Sequence, residues 1–154
     1  MRLVITGTPG TGKTVLAKKA AEHFGLPLYP ATAIAKKMRW VKRGVADLGK
    51  LREYYASLPG GFIAEGHLLC EFPIPEAKCL VLRTQPGELE KRLKARGYSK
   101  RKITQNAECE LIDYCLLKAE KNYGEVLQAD NTAFPPLKKV LKGGAKCDWS
   151  RQPV

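Results

Sequence analysis

A doubly wound, five-stranded parallel α/β sheet is the fold this sequence predicts, and three observations predict it. Short apolar runs alternate with helical segments along the chain. Two of those runs, "GFIAEG" (61–66) and "KCLVLRT" (78–84), are near-continuously apolar, as strands must be when helices cover both faces of a parallel sheet. Between the first apolar run and the first helical one lies "GTPGTGKT" (7–14). Its G-x-x-x-x-G-K-[ST] spacing is that of a loop that grips phosphate.

The elements follow in chain order. "RLVIT" (2–6) reads as a strand entering the loop. Gly7, Gly10 and Gly12 let the loop curl, with Pro9 and Thr11 between them, so that backbone N–H groups converge on phosphate oxygens. The helix that follows points its positive end inward. Lys13 is placed to reach the β- and γ-phosphates of ATP, and the Thr14 hydroxyl to ligate Mg²⁺. "TVLAKKAAEHF" (14–24) is that helix, with Val15, Leu16, Ala20 and Phe24 near one face; Gly25 stops it and Pro27 blocks its resumption.

"LPLYP" (26–30) reads as a short second strand, followed by the two buried strands already quoted. "GELEKRLKARG" (87–97) is a helix opened by Pro86 and closed by Gly97. "KITQNAECELIDYCLLKAEKNYG" (102–124) reads as one long helix ending at Gly124. "EVLQAD" (125–130) is the fifth strand, and "PPLKKVLKG" (135–143) a last short helix. Residues 1–142 are therefore expected to form one domain. The tail "GGAKCDWSRQPV" (143–154) has little periodicity and reads as loose and basic, with Trp149 available to dock.

Composition bounds the function. With 44% hydrophobic residues over 154 positions, the chain can build a real core, which excludes a disordered protein. No apolar run approaches the ~20 residues of a membrane helix, and no cleavable leader is read at the N-terminus. The five cysteines Cys70, Cys79, Cys109, Cys115 and Cys147 are odd in number and form no C-x-x-C pair. That argues against a disulfide framework or zinc site and for free thiols in a reducing cytoplasm. The net charge of +12 is concentrated in "KKMRWVKRG" (36–44) and "KRLKARGYSKRK" (91–102), neither of which contains an acid. Such blocks attract polyanions: nucleotide phosphates at close range, RNA at longer range.

A phosphate loop needs an acid at the end of a neighbouring strand to hold the water shell of the metal. "FIAEGHLLCEF" (62–72) supplies Glu65 where its strand ends, so Glu65 joins Thr14 as a metal candidate, acting through water. His67 follows two residues on; taken alone, it reads as a histidine that caps a loop.

In combination, "LVITGTPGTGKTVLAKKAAEHFGL", "EGHLLCEF", "LVLRTQPGELEKRLKARGYSKRKITQNAECE" and "QADNT" resemble the adenylate kinase 6 family over roughly residues 2–132. The ordered set carries the resemblance: an acid-x-His motif, then "LRT", then "RLxxRGY", then "NxxCE". It implies an adenylate kinase-like fold with an AMP-binding segment (about 31–60) and a short lid (about 97–105). It also implies ATP:AMP phosphoryl transfer alongside ATP hydrolysis. The expected setting is maturation of the small ribosomal subunit, beside a platform ribosomal protein and rRNA, in the cytoplasm or, in a eukaryote, the nucleus. A monomer is expected.

Residue by residue, Gly7, Gly10, Gly12, Lys13 and Thr14 match the family's phosphate loop. Glu65 stands where the family usually has Asp, one methylene longer. His67 matches the motif histidine linked with hydrolysis. Arg92 and Arg96 match arginines that touch the base and phosphates of ATP. Lys36 falls where adenylate kinases carry an Arg for the AMP phosphate; Lys cannot make the bidentate contact, and Arg39 is the nearby substitute. Asn131 and Thr132, in "DNT", sit where such folds pass backbone over adenine. A short lid closes incompletely, which favours leakage to water.

Two other readings stay open. One is an ATP-switched assembly factor whose kinase activity is incidental, favoured by the basic stretches 36–52 and 91–102. The other is a different small-molecule kinase, against which the acid-x-His and "NxxCE" motifs count.

Overall fold

The structure, a computed structural model, describes residues 1–151. Its centre is a five-stranded sheet made of β1 (Arg2–Thr6), β2 (Leu28–Pro30), β5 (Phe62–Glu65), β6 (Ala77–Arg83) and β7 (Val126–Asp130). The spatial order is β2-β5-β1-β6-β7 and every pairing is parallel, so the doubly wound sheet expected from sequence is what forms. Two further strands, β3 (Val41–Lys42) and β4 (Val45–Ala46), make a small antiparallel hairpin apart from it.

Because side chains alternate across a strand, each central strand feeds two cores. Val4, Ala64 and Val81 point to one side, where Leu51 and Tyr55 of α3 (Leu48–Ser57) and Cys115 and Ala119 of α6 (Tyr114–Asn122) meet them. Ile5, Ile63, Leu80 and Leu82 point to the other, against Leu16, Ala17 and Ala20 of α1 (Lys13–Phe24) and Val140 of α7 (Leu137–Lys142). All seven of these strand residues are at most 1% exposed. The face of α1 differs from the expected one. Val15 and Phe24 are exposed, and Ala17 takes the inward position, because the stripe runs Lys13, Leu16, Ala17, Ala20.

Three other expectations change. The long helix expected over 102–124 is two helices, α5 (Lys100–Leu111) and α6, broken where Asp113 adopts a left-handed backbone with φ 58°. The break turns the Asp113 carboxylate onto Arg83 Nη2. The lid expected at 97–105 is the turn after α4 (Pro86–Ala95) together with the start of α5. The tail is not loose across its described part: Trp149 is buried, and Ala145 N donates to Gln128 O at 3.2 Å. The segment expected to bind AMP contains α2 (Ala31–Lys37), the hairpin and α3. Among the described residues, no helix is long and apolar enough to cross a membrane.

Candidate active site

The phosphate loop leaves the carboxyl end of β1, at the centre of the sheet. Gly7 lies against β6: a Cβ there would sit 2.5 Å from Leu82 O. Gly12 has φ 94°, and a Cβ would meet Asn131 Nδ2 at 2.5 Å. Only glycine allows that backbone and that approach. Asn131 is itself a brace, since its Nδ2 donates to Thr11 O at 2.7 Å. Inside the loop, Thr8 O gathers three donors: Thr11 N, Thr11 Oγ1 at 2.9 Å and Lys13 Nζ at 3.0 Å.

Lys13 opens α1 yet is buried, 7% exposed. Its pKa is lowered to about 8 because burial strips the ammonium of hydration; the Arg96 charge adds to the effect, and Cys115 and Glu65 oppose it. A buried cation at the mouth of a loop of N–H groups is short of an anion, and a phosphate chain supplies one.

Glu65 arrives through the register of the sheet. Ile5 pairs with Glu65, and Gly66 N donates to Ile5 O at 3.1 Å, so the acid lands beside the loop. Thr14 Oγ1 donates to Glu65 Oε1 at 3.3 Å. These two oxygens are the hard donors a magnesium ion and its waters require, so the residues present fit that metal.

Gly10, Lys13, Thr14, Glu65, His67 and Arg96 converge on one cavity of about 260 Å³, which Tyr98 also lines. A second cavity of about 400 Å³ adjoins it, walled by Val41, Val45, Leu48 and Leu68 and carrying Lys36. Thr32 and His67 line both. The His67 imidazole faces the cleft; desolvation by its walls and the Lys13 charge push its pKa below the ordinary value, against a smaller opposing pull from Glu71. It is therefore neutral at pH 7.

The structure separates some expected partners. Arg39 does not line the second cavity, and its backbone is left-handed with φ 58°. Arg92 and Arg96 do not act as one face. Arg96 lies beyond the end of α4 and lines the phosphate cavity. Arg92 turns away to Thr84 Oγ1 at 3.2 Å and to Asn131 O and Thr132 O at 2.9 and 2.8 Å. The Thr132 hydroxyl accepts from Gln85 N at 3.0 Å and donates to Asp130. The turn 130–132 is thus pinned by side chains of its own neighbourhood.

One group of residues carries no role in the sequence reading although its motifs were quoted. Arg83 of "LRT" and Glu110 of "NxxCE" form a buried ion pair at 2.8 Å. Glu110 Oε2 accepts from Thr8 Oγ1 at 2.8 Å, and Oε1 accepts from Thr84 N and from Trp149 Nε1. The signal was a basic residue in one quoted motif and an acid in the other; only the fold shows that they meet under the loop.

Residues 3–113 match the AAA domain family. A protein of Pyrococcus furiosus named "Putative adenylate kinase" is 35% identical over 168 residues, covering 98% of this chain and 92% of that one. One of the same name from Thermococcus onnurineus is 31% identical over 174 residues, covering 99% and 93%. Among solved structures, shikimate kinase from Bacteroides thetaiotaomicron superposes with a TM-score of 0.61 at 15% identity, covering 92% of this chain and 94% of that one, a likeness of fold. The α/β fold is that of the P-loop nucleoside triphosphatases, and within the AAA-domain proteins this chain belongs to an adenylate kinase-like family.

Proposed function

We propose that the protein transfers a phosphoryl group from ATP to AMP and also hydrolyses ATP, as the adenylate kinase 6 family does. The observation that carries this reading is the pair of adjoining cavities that share Thr32 and His67. One holds the phosphate machinery, and the other is an apolar-walled space with a single cation, Lys36, suited to a base and one phosphate. The names of the relatives support AMP as the acceptor.

In this reading Gly7, Pro9, Gly10, Thr11 and Gly12 cradle the phosphates of ATP. Lys13 and Arg96 neutralise charge on the transferred group. Thr14 and, through water, Glu65 hold Mg²⁺, which supplies further charge neutralisation when bound. The AMP phosphate is already a nucleophile, so no general base is required. Water is not, and neutral His67 at the junction of the cavities is placed to orient it. Through its guanidinium edge Arg92 fixes the turn at Asn131 and Thr132.

A second reading has its own observation. The exposed lysines and arginines of the blocks 36–44 and 91–102, Arg92 apart, give the +12 chain more positive charge than a nucleotide enzyme needs. They support a partner of rRNA with a platform ribosomal protein, and an ATP-switched role in small-subunit maturation.

The test is to incubate the protein with Mg·ATP, with and without AMP, and resolve ADP from free phosphate. Two ADP per ATP consumed, with little phosphate, is the expected result. Phosphate equal to ADP, indifferent to AMP, would overturn the kinase reading in favour of the second.

A further inference from the structure

We propose that Phe134 occupies the seat of the ATP base in the empty protein, and that the base must displace its ring to bind. This rests on the reading of the loop at 7–14 as a nucleotide site. The argument begins with Arg92. Its guanidinium edge is committed: Nη2 to Asn131 O and Thr132 O, Nη1 to Thr84 Oγ1 and, at 3.4 Å, Gly10 O, and Nε to Glu88 Oε1 at 3.4 Å. A group so anchored cannot swing to follow a ligand. What it has to offer is its flat face, and guanidinium faces stack on aromatic rings and bases alike.

That face is taken. The Phe134 ring centroid lies 4.1 Å from Arg92 Cζ. Yet Phe134 is a poor candidate for a structural residue. It is 65% exposed, so burial contributes little to its position. Its backbone is left-handed, with φ 49°, which is disfavoured for a bulky side chain. It also precedes Pro135, which restricts it further.

Location connects this contact to the loop. A Cβ on Gly12 would come within 3.9 Å of Phe134 Cε1. Gly12, Val15, Asn131 and Phe134 line a cavity of about 70 Å³ behind the first turn of α1. That holds only a few waters, at about 10–15 Å³ each, and no bicyclic base while the ring stays in place. The apolar space on the other side of the phosphate cavity is the one carrying Lys36, which the proposed function gives to the acceptor. Arg92 lies against the loop itself, Nη1 3.4 Å from Gly10 O, so its face is a stacking surface within reach of a base whose phosphates sit in the loop. Base and phenyl ring compete for one cation, so the ring lowers the affinity for ATP by about two- to fivefold, the value of an exposed stack.

Calorimetry on the full chain and on Phe134→Ala tests this, with two probes: Mg·ATP and Mg·tripolyphosphate, which has the phosphate chain and no base. The expected result is that Phe134→Ala binds Mg·ATP about two- to fivefold more tightly and tripolyphosphate unchanged. Phe134→Asn, which tolerates the left-handed backbone, must show the same selective gain and serves if the alanine variant is unstable. Unchanged or weaker binding of Mg·ATP would overturn the proposal, as would an equal gain for both probes. Failure of the wild-type chain to bind either probe would instead remove the nucleotide reading on which the proposal rests.

Discussion

The Thr8 hydroxyl in the phosphate loop donates to Glu110 Oε2 at 2.8 Å across 102 residues of sequence. The other oxygen of the same carboxylate accepts from Arg83, Thr84 N and Trp149. One buried acid therefore fastens the loop, the end of β6, α5 and the tail to a common point. A buried carboxylate is tolerable only when its lone pairs are taken, and here four donors from the loop, the end of β6 and the tail take them.

Glu110→Gln should show the cost of opening that point. The substitution removes one of the two carboxylates paired with buried Arg83, leaving Asp113 as its counter-ion, and breaking such a buried pair costs at most about 3–5 kcal/mol. We expect a loss of that order in urea denaturation, with a raised KM for ATP because Thr8 loses its anchor. Trp149→Phe keeps the ring and removes one N–H donor, so its loss should be about 1 kcal/mol. Equal losses in the two variants would show that the ion pair is not the core of the network.

Glu65→Gln should abolish magnesium-dependent turnover while leaving the melting curve intact. Glu65 lies at a strand end with Thr14 as its hydrogen-bond partner, so the fold does not depend on its charge. A carboxylate that orients the shell of a metal is worth about 10- to 100-fold or more. Near-normal activity would remove Glu65 from the metal site.

Much of this was legible before the fold. The strands 2–6, 62–65 and 77–83 are apolar because the sheet is covered twice, and the loop motif has one geometry. What the sequence hid was decided by contacts distant in the chain. Helical periodicity runs unbroken through "LIDYC", with no glycine or proline to interrupt it; the break at Asp113 comes from Arg83, 30 residues away. Arg92 and Arg96 have the spacing of a helical pair, but the helix ends between them. The helices at 31–37 and 48–57 lie in a basic stretch without clear periodicity, and they form because Ala31, Ala35, Leu51 and Tyr55 pack on the sheet.

Lys36→Ala should raise the KM for AMP by about tenfold or more, the value of one charged hydrogen bond, with the KM for ATP unchanged. Lys36→Arg should keep or improve it, because the guanidinium can grip a phosphate with two bonds. Steady-state kinetics with each nucleotide varied in turn separates the effects. A matching rise for ATP would place Lys36 outside the acceptor cavity.

His67→Gly should slow hydrolysis more than transfer to AMP. A positioned proton acceptor is worth about 100-fold or more, and a residue that only orients water is worth less, so we expect about tenfold on phosphate release. The low pKa also sets a direction: hydrolysis should fall in acid as the imidazole gains its proton, below the ordinary histidine value. Equal losses in both reactions would deny His67 a role with water.

The Lys13 ammonium predicts a second pH effect of opposite direction. Its pKa in the free protein is about 8, and a bound phosphate chain raises it by restoring a counter-charge. Below pH 8 the lysine is already charged, and binding is at full strength. Above pH 8 binding must recruit a proton, so affinity should fall by up to about tenfold per pH unit until the pKa of the complex is reached. Calorimetry at pH 8.5 in buffers of different ionisation enthalpy would register that uptake as a buffer-dependent heat. Stability of the free protein should move the other way. An unfolded lysine holds its proton up to about 10.5, so between about 8 and 10.5 the unfolded chain binds more protons and this residue's contribution to folding rises with pH. Lys13→Met should abolish both effects together. Buffer-dependent heat that survives in that variant would assign the proton to another group.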